Sequence, residues 1–162
     1  MSETGDGPGR SSGGVAFLLA QLGAHAAALF AERIARLDLT PAQAGLLRMI
    51  AVTPGLSQQA YAKRLGTPPS RFVILVDAMQ DRGLIERRPG QPDRRSYALH
   101  LTEAGQHLLR QLGAVGKAHD DDLCAALTLE ERVTLRELLT RVAQQQNLTA
   151  GVHPGYRQPS DT

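Results

Sequence analysis

The chain has 162 residues, is 42% hydrophobic, and carries a formal net charge of +2 from eighteen basic and sixteen acidic side chains. That length fits one domain, and so small a charge neither announces nor excludes a polyanionic partner, because distribution outweighs the sum. One cysteine excludes an intramolecular disulfide framework and a cysteine-based zinc finger.

Residues 2–14 read SETGDGPGRSSGG and have nothing to bury, and residues 147–162 are again rich in turn formers. Both stretches are expected to be disordered tails around a single domain of residues 15–146. The leader has no basic start followed by an apolar stretch, and no apolar run approaches the ~20 residues that span a bilayer. A cytoplasmic chain is therefore expected. The Gly-rich leader is not a phosphate loop, since no strand precedes it and no Gly-Lys-Ser/Thr follows.

Residues 15–37 are rich in Ala and Leu. Leu18, Leu22, His25 and Leu29 fall at helical spacing, as do Phe30, Ile34 and Leu37, which predicts a long helix with a broad apolar face. A second helix follows Thr40 as N-cap with Pro41 in its first turn, carries Leu46, Leu47 and Ile50, and ends before Pro54-Gly55. A third starts at Ser57 and stops at Gly66. Thr67 is read as the cap of a fourth helix, which opens with Pro68 and Pro69 and ends at Gly83.

The period then changes. Residues 84–88 and 96–101 read as two short strands around the turn-rich Pro89-Gly90-Gln91-Pro92-Asp93-Arg94-Arg95. Thr102 caps a fifth helix to roughly residue 127. Thr128 and Glu131 form a capping box that opens a sixth, running to about residue 146. The expected fold is mainly α with a small β-hairpin wing: a winged helix-turn-helix over residues 54–102, flanked by helices at 15–53 and 103–146. Residues 54–102 hold eight basic and four acidic side chains, hence +4, against −2 for the rest of the chain. A local positive excess of that kind serves binding to phosphates through counterion release.

Asp93-Arg94-Arg95-Ser96-Tyr97-Ala98-Leu99-His100-Leu101-Thr102 fits the pattern D-x-R-x5-L-T, followed by Glu103-Ala104-Gly105. With Leu65-Gly66 before the fourth helix and Arg82-Gly83-Leu84-Ile85-Glu86-Arg87 after it, residues 15–146 resemble the MarR family of transcription regulators. The resemblance implies a homodimer held by the first, fifth and sixth helices. It also implies a fourth helix in the DNA major groove and a small ligand bound between the two modules.

In the fourth helix Phe72, Leu75, Val76 and Met79 follow i, i+3, i+4, i+7 and are expected in the core. The opposite face holds Ser70, Ile74, Asp77 and Asp81, with Arg71 and Val73 on its flanks. Ser70 and Arg71 stand in the first turn, where recognition helices touch bases, while Val73 and Ile74 offer only apolar contacts such as thymine methyls. Apolar side chains there depart from the family habit. They leave open a winged-helix scaffold or interaction protein with weak DNA binding, or a reader that leans on its wing and on DNA shape. In the wing, Arg94 and Arg95 are expected to enter a minor groove, and the resemblance implies that Asp93 orients a wing arginine. Ser57 and Gln58, at a helix N-terminus, are candidate phosphate contacts; Lys63, Arg64, Arg87 and Arg88 read as phosphate contacts or plain surface.

For the ligand, His25 and His107 with Phe17, Gln21 and Leu47 are the candidate lining of a cleft beneath the DNA-binding module. An apolar pocket with one or two polar groups suits an aromatic or phenolic effector. A lone His on such an apolar face, as His25 is, is more often a core or interface residue than a ligand contact. Cys124 follows Asp120-Asp121-Asp122, whose carboxylates disfavour a reactive thiolate, so oxidant sensing is not expected. The five histidines are scattered with no pair at i, i+4, and neither a metal nor another cofactor is expected. No nucleophile elbow, HExxH, phosphate loop or paired-carboxylate motif points to an enzyme. The expected function is a sequence-specific, homodimeric repressor of a pseudo-palindromic operator, released by a small ligand.

Overall fold

The computed structural model describes residues 13–90 and 97–152. The expected leader up to residue 12, the tail beyond residue 152 and the wing residues 91–96 lie outside them. Eight elements follow in chain order: α1 (Val15–Ala35), α2 (Pro41–Val52), α3 (Gln58–Leu65), α4 (Pro69–Asp81), β1 (Ile85–Pro89), β2 (Tyr97–Leu101), α5 (Glu103–Leu123) and α6 (Leu129–Gln145).

The caps explain most of the boundaries. Thr40 accepts the Gln43 N–H while the Gln43 side chain accepts the Thr40 N–H, and Thr128 and Glu131 close the same reciprocal box on α6. Ser57 and Thr102 cap α3 and α5 through the N–H groups of Ala60 and Gly105. Thr67 does not cap α4: Pro68 takes that position and no side chain serves the first turn. Two prolines in a row leave fewer orphan N–H groups for a hydroxyl to satisfy. At the other end of α4, Gly83 adopts φ +67°, and the Leu84 N–H bonds the Met79 carbonyl across it at 3.0 Å. A left-handed residue there favours glycine.

The core gathers Ile34 of α1, Leu46, Leu47 and Ile50 of α2, Tyr61 and Leu65 of α3, Phe72, Val76 and Met79 of α4, Ile85 and Leu99 of the hairpin, and Leu112 of α5. The two strands pair antiparallel, with Ile85 opposite Leu101 and Pro89 opposite Tyr97. The turn before α3 joins their edge: Gly55 donates to the Leu99 carbonyl and Leu99 donates back to Leu56. The hairpin is therefore hydrogen-bonded to the helix pair it flanks. In the expected C-terminal tail, residues 147–152 form turns, and Val152 packs against the core.

The two apolar rows of α1 behave differently. Ile34 is buried and Phe30 packs on the core, while Leu18 and Leu22 are exposed. Contrary to the expectation of no such stretch, α1 is long and apolar enough, by length and composition, to cross a membrane. In α6 no residue is buried, and Leu135, Leu138, Leu139 and Val142 form an exposed row at i, i+3, i+4, i+7.

Candidate nucleic-acid interface

Tyr61 fixes α3 from within. Its ring is fully buried, its hydroxyl donates to the Thr53 carbonyl at 2.5 Å, and the same oxygen accepts from the Leu56 N–H at 3.4 Å. Burial raises the phenol above its ordinary pKa, against the opposing hydrogen bond from Leu56, and keeps it a neutral donor. Arg64, read as a phosphate contact or plain surface, donates to the Thr53 hydroxyl at 3.1 Å and is tied to the same turn. The α2–α3 turn and α3 thus form one hydrogen-bonded unit on which α4 rests.

On α4, Phe72, Val76 and Met79 are buried and Leu75 packs beside them. Ser70 and Arg71 are exposed in the first turn, and Val73 and Ile74 are exposed on the outward side. Among the described residues, the two apolar side chains therefore do not pack into the core. Ser57 and Gln58 stand at the start of α3 and are half-buried. The Ser57 oxygen accepts the Ala60 N–H at 3.2 Å, a bond that leaves the hydroxyl proton able to donate. Asp93, Arg94 and Arg95 lie outside the described residues. The strands that carry them are in place: β1 ends at Pro89 and β2 begins at Tyr97, directly across the register.

Two arginines read as surface or phosphate groups have protein partners. Arg88 pairs with Glu86 on its own strand. Arg87 is half-buried and bonds to Asp77 and Gln80 of α4 and to Gln58 of α3. A signal for this is present in the sequence: Arg87 stands two residues after Ile85, and alternate residues of a strand share a face.

The candidate ligand residues do not line one opening. Leu47 is wholly inside the core, Phe17, Gln21 and His25 are exposed along α1 to differing degrees, and His107 is exposed on α5. A half-open cavity of about 360 Å³ lies instead where the end of α2, the hairpin and α5 meet. Ile50, Ala51, Leu101 and Leu109 give it apolar walls, and Arg88, His100 and Gln106 supply polar groups. That volume falls within the range of small-ligand sites. Sequence reasoning does not find it, because its walls come from three separate elements. Cys124 caps the C-terminus of α5 and is half-buried.

A model of the MarR family matches residues 37–96. A protein assigned to transcriptional regulation of the hcr operon in Thauera aromatica is 38% identical over 111 residues, which cover 68% of this chain and 67% of the relative. The transcriptional repressor CouR, solved bound to a 23-mer DNA duplex, is 31% identical and superposes with a TM-score of 0.70 over 80% of this chain and 92% of its own. A MarR-family protein of Mycobacterium tuberculosis, solved in complex with salicylic acid, is 25% identical with a TM-score of 0.66, over 82% of this chain and 98% of its own.

Proposed function

The chain belongs to the MarR family of transcription regulators, and from that premise we propose that it is a homodimeric, sequence-specific repressor released by a small aromatic anion. The observation that carries the reading is the outward row of α4. Ser70, Arg71, Val73 and Ile74 are presented to solvent beside a hairpin that leads into the Arg94-Arg95 wing. A helix so presented enters a major groove while the wing reaches the flanking minor groove. Val73 and Ile74 then contact thymine methyls, Arg71 a guanine or phosphate, and Ser57 and Gln58 phosphates at the α3 N-terminus. Asp93 orients a wing arginine.

In a two-fold dimer the two α4 helices stand about 34–36 Å apart and read a pseudo-palindrome. A second copy, rather than lipid, covers the apolar faces of α1 and α6. The cavity by Arg88 and His100 suits the effector: a cation and an imidazole meet a carboxylate or phenolate, and the apolar walls take a ring. It touches both the hairpin and α5, so an occupant biases the hairpin's angle to the dimer body and thereby the spacing of the two readers. The salicylic acid complex of a relative supports this ligand class. Unlike Leu47, which the core encloses, His25, His107, Phe17 and Gln21 remain open to a second, α1-side contact.

Selection of bound duplexes from a random pool, with and without salicylate, tests the reading. Enrichment of a palindrome, abolished when ligand is added, is the expected result; no enrichment at low salt supports the scaffold alternative. Within the enriched duplex, Arg94→Ala/Arg95→Ala should weaken binding. It should also flatten the plot of log affinity against log salt by about 0.9 for each phosphate that is no longer neutralised. An unchanged slope removes the wing from the interface.

A further inference from the structure

We infer that Arg87 is a positioning residue that sets the roll of α4 relative to the wing, a role that rests on the DNA-binding reading above. Its side chain is only one quarter exposed. Nη2 donates to Asp77 Oδ1 at 2.5 Å, Nη1 to Gln80 Oε1 at 2.5 Å, and Nε to Gln58 Oε1 at 3.4 Å. Asp77 and Gln80 are one turn apart on α4, Gln58 is the first residue of α3, and Arg87 itself stands two residues before the end of β1. One guanidinium thus links the reading helix, the helix it rests on, and the strand that leads into the wing.

The polar fork supplies what the apolar packing does not. Phe72, Val76 and Met79 hold α4 to the core along one stripe. Non-directional contacts along a stripe resist separation more than rotation about the helix axis. Asp77 belongs to the outward row with Ser70 and Ile74, so bonds to it and to Gln80 fix which way that row points. Lysine does not replace this arrangement, because a planar fork serves two acceptors where an ammonium is a single point charge.

Specific and non-specific complexes therefore respond differently. Reading bases while the wing occupies its groove needs both parts in register; non-specific binding needs only positive charge near phosphates. The test compares wild type, Arg87→Ala, Arg87→Lys, Asp77→Ala and the Arg87→Ala/Asp77→Ala pair. Each is titrated across salt with the duplex enriched by the wild type and with a scrambled duplex, and each is melted without DNA. Arg87→Ala should bind the enriched duplex about tenfold more weakly while keeping its scrambled-duplex affinity and its salt slope. Asp77→Ala should narrow the same ratio, and adding Arg87→Ala to it should change the ratio little, since the pair acts as a unit.

A phosphate contact gives the opposite pattern. Arg87→Ala then lowers both affinities and the slope, Arg87→Lys restores them, and Asp77→Ala strengthens binding by freeing the cation. That pattern overturns the inference, as does a loss shared equally by both duplexes and explained by a lower melting temperature. If Arg87→Ala does not fold, Arg87→Lys decides: the enriched-to-scrambled ratio should still fall. A wild type that enriches nothing overturns the DNA-binding reading and this role with it. A wild type that enriches while Arg87→Ala discriminates equally well overturns this role alone.

Discussion

A methyl group at position 105 would sit 2.0 Å from the Leu84 carbonyl oxygen and 3.0 Å from its carbon. The first turn of α5 is pressed against the backbone that joins α4 to the wing. Thr102 reinforces the contact, donating its N–H to the Leu84 carbonyl and its hydroxyl to the Gly83 carbonyl. The neighbour is backbone, so it cannot swing aside. Gly105→Ala should cost about 2 kcal/mol or more, in the range of overpacked cores, and urea unfolding will report it. A variant as stable as wild type would mean that α5 and the hairpin are not held this closely. In the sequence this glycine is visible only as a member of the Leu101-Thr102-Glu103-Ala104-Gly105 run. Type and position are legible there, but a close approach between residues 84 and 105 is a distance, and no local pattern encodes it. Arg64 and Arg87 make the complementary point. Their charge reads as phosphate contact or plain surface, while their partners in the fold, eleven residues back and up to 29 residues away, are not local in the sequence.

Elements are more legible than contacts, because caps are local chemistry. Thr40, Ser57, Thr102 and the Thr128–Glu131 box each mark a helix start within a few residues of sequence. The end of α5 is less so: it falls at Leu123 rather than at the expected residue 127. Three consecutive aspartates oppose the negative end of a helix dipole, which favours an early stop. Asp121 is accommodated by Lys117 at 2.7 Å and by Arg132 of α6 at 3.0 Å; the Lys117 bond above all holds its carboxyl below the usual carboxylate range. Asp122 reaches across to Arg33 of α1 at 2.6 Å. Near that pair, His119 stacks at a tilt on Phe30, ring centres 5.4 Å apart, and its buried Nδ1 has no partner among the described residues.

Burial first, then the Arg33 charge, lowers the His119 pKa; Asp120 and Asp122 oppose this, and His25 adds to it. The unfolded chain therefore takes up a proton near pH 6.5 that the folded chain resists. Stability contributed by neutral His119 is present above that pH and is lost as pH falls through the folded value. Between pH 7.5 and 5.5 the urea midpoint should drop more in wild type than in His119→Phe, which keeps the ring contact without the titration. Equal drops would place the pH dependence elsewhere.

At the scale of the molecule, one chain leaves too much apolar surface uncovered. Phe17 and Leu22 of α1 and Leu138 of α6 are each at least half exposed, with Leu135, Leu139 and Val142 beside Leu138. Contiguous apolar surface on this scale marks an interaction site. The sequence shows these rows as helical periodicity, and periodicity alone does not say whether a row faces its own core or another chain. The structure separates the two cases within α1, where Ile34 is buried and Leu22 is not.

A two-fold partner doubles the effect of any change at these rows, because each substitution occurs on both sides of the interface. Burying one leucine contributes about 1.5–3 kcal/mol, and a charge in its place adds a desolvation cost. Leu138→Glu should therefore weaken self-association on the order of 10²-fold or more. Sedimentation equilibrium will read this directly. The melting temperature of wild type should rise with protein concentration, as it does when association stabilises only the folded state, and that of the variant should not. On the proposed two-fold dimer, DNA binding should fall together with self-association, since two readers one turn apart exist only when the chains are joined. A variant that remains dimeric would move the interface off α6, and one that loses the dimer yet keeps full operator affinity would break the link between two-fold symmetry and DNA reading.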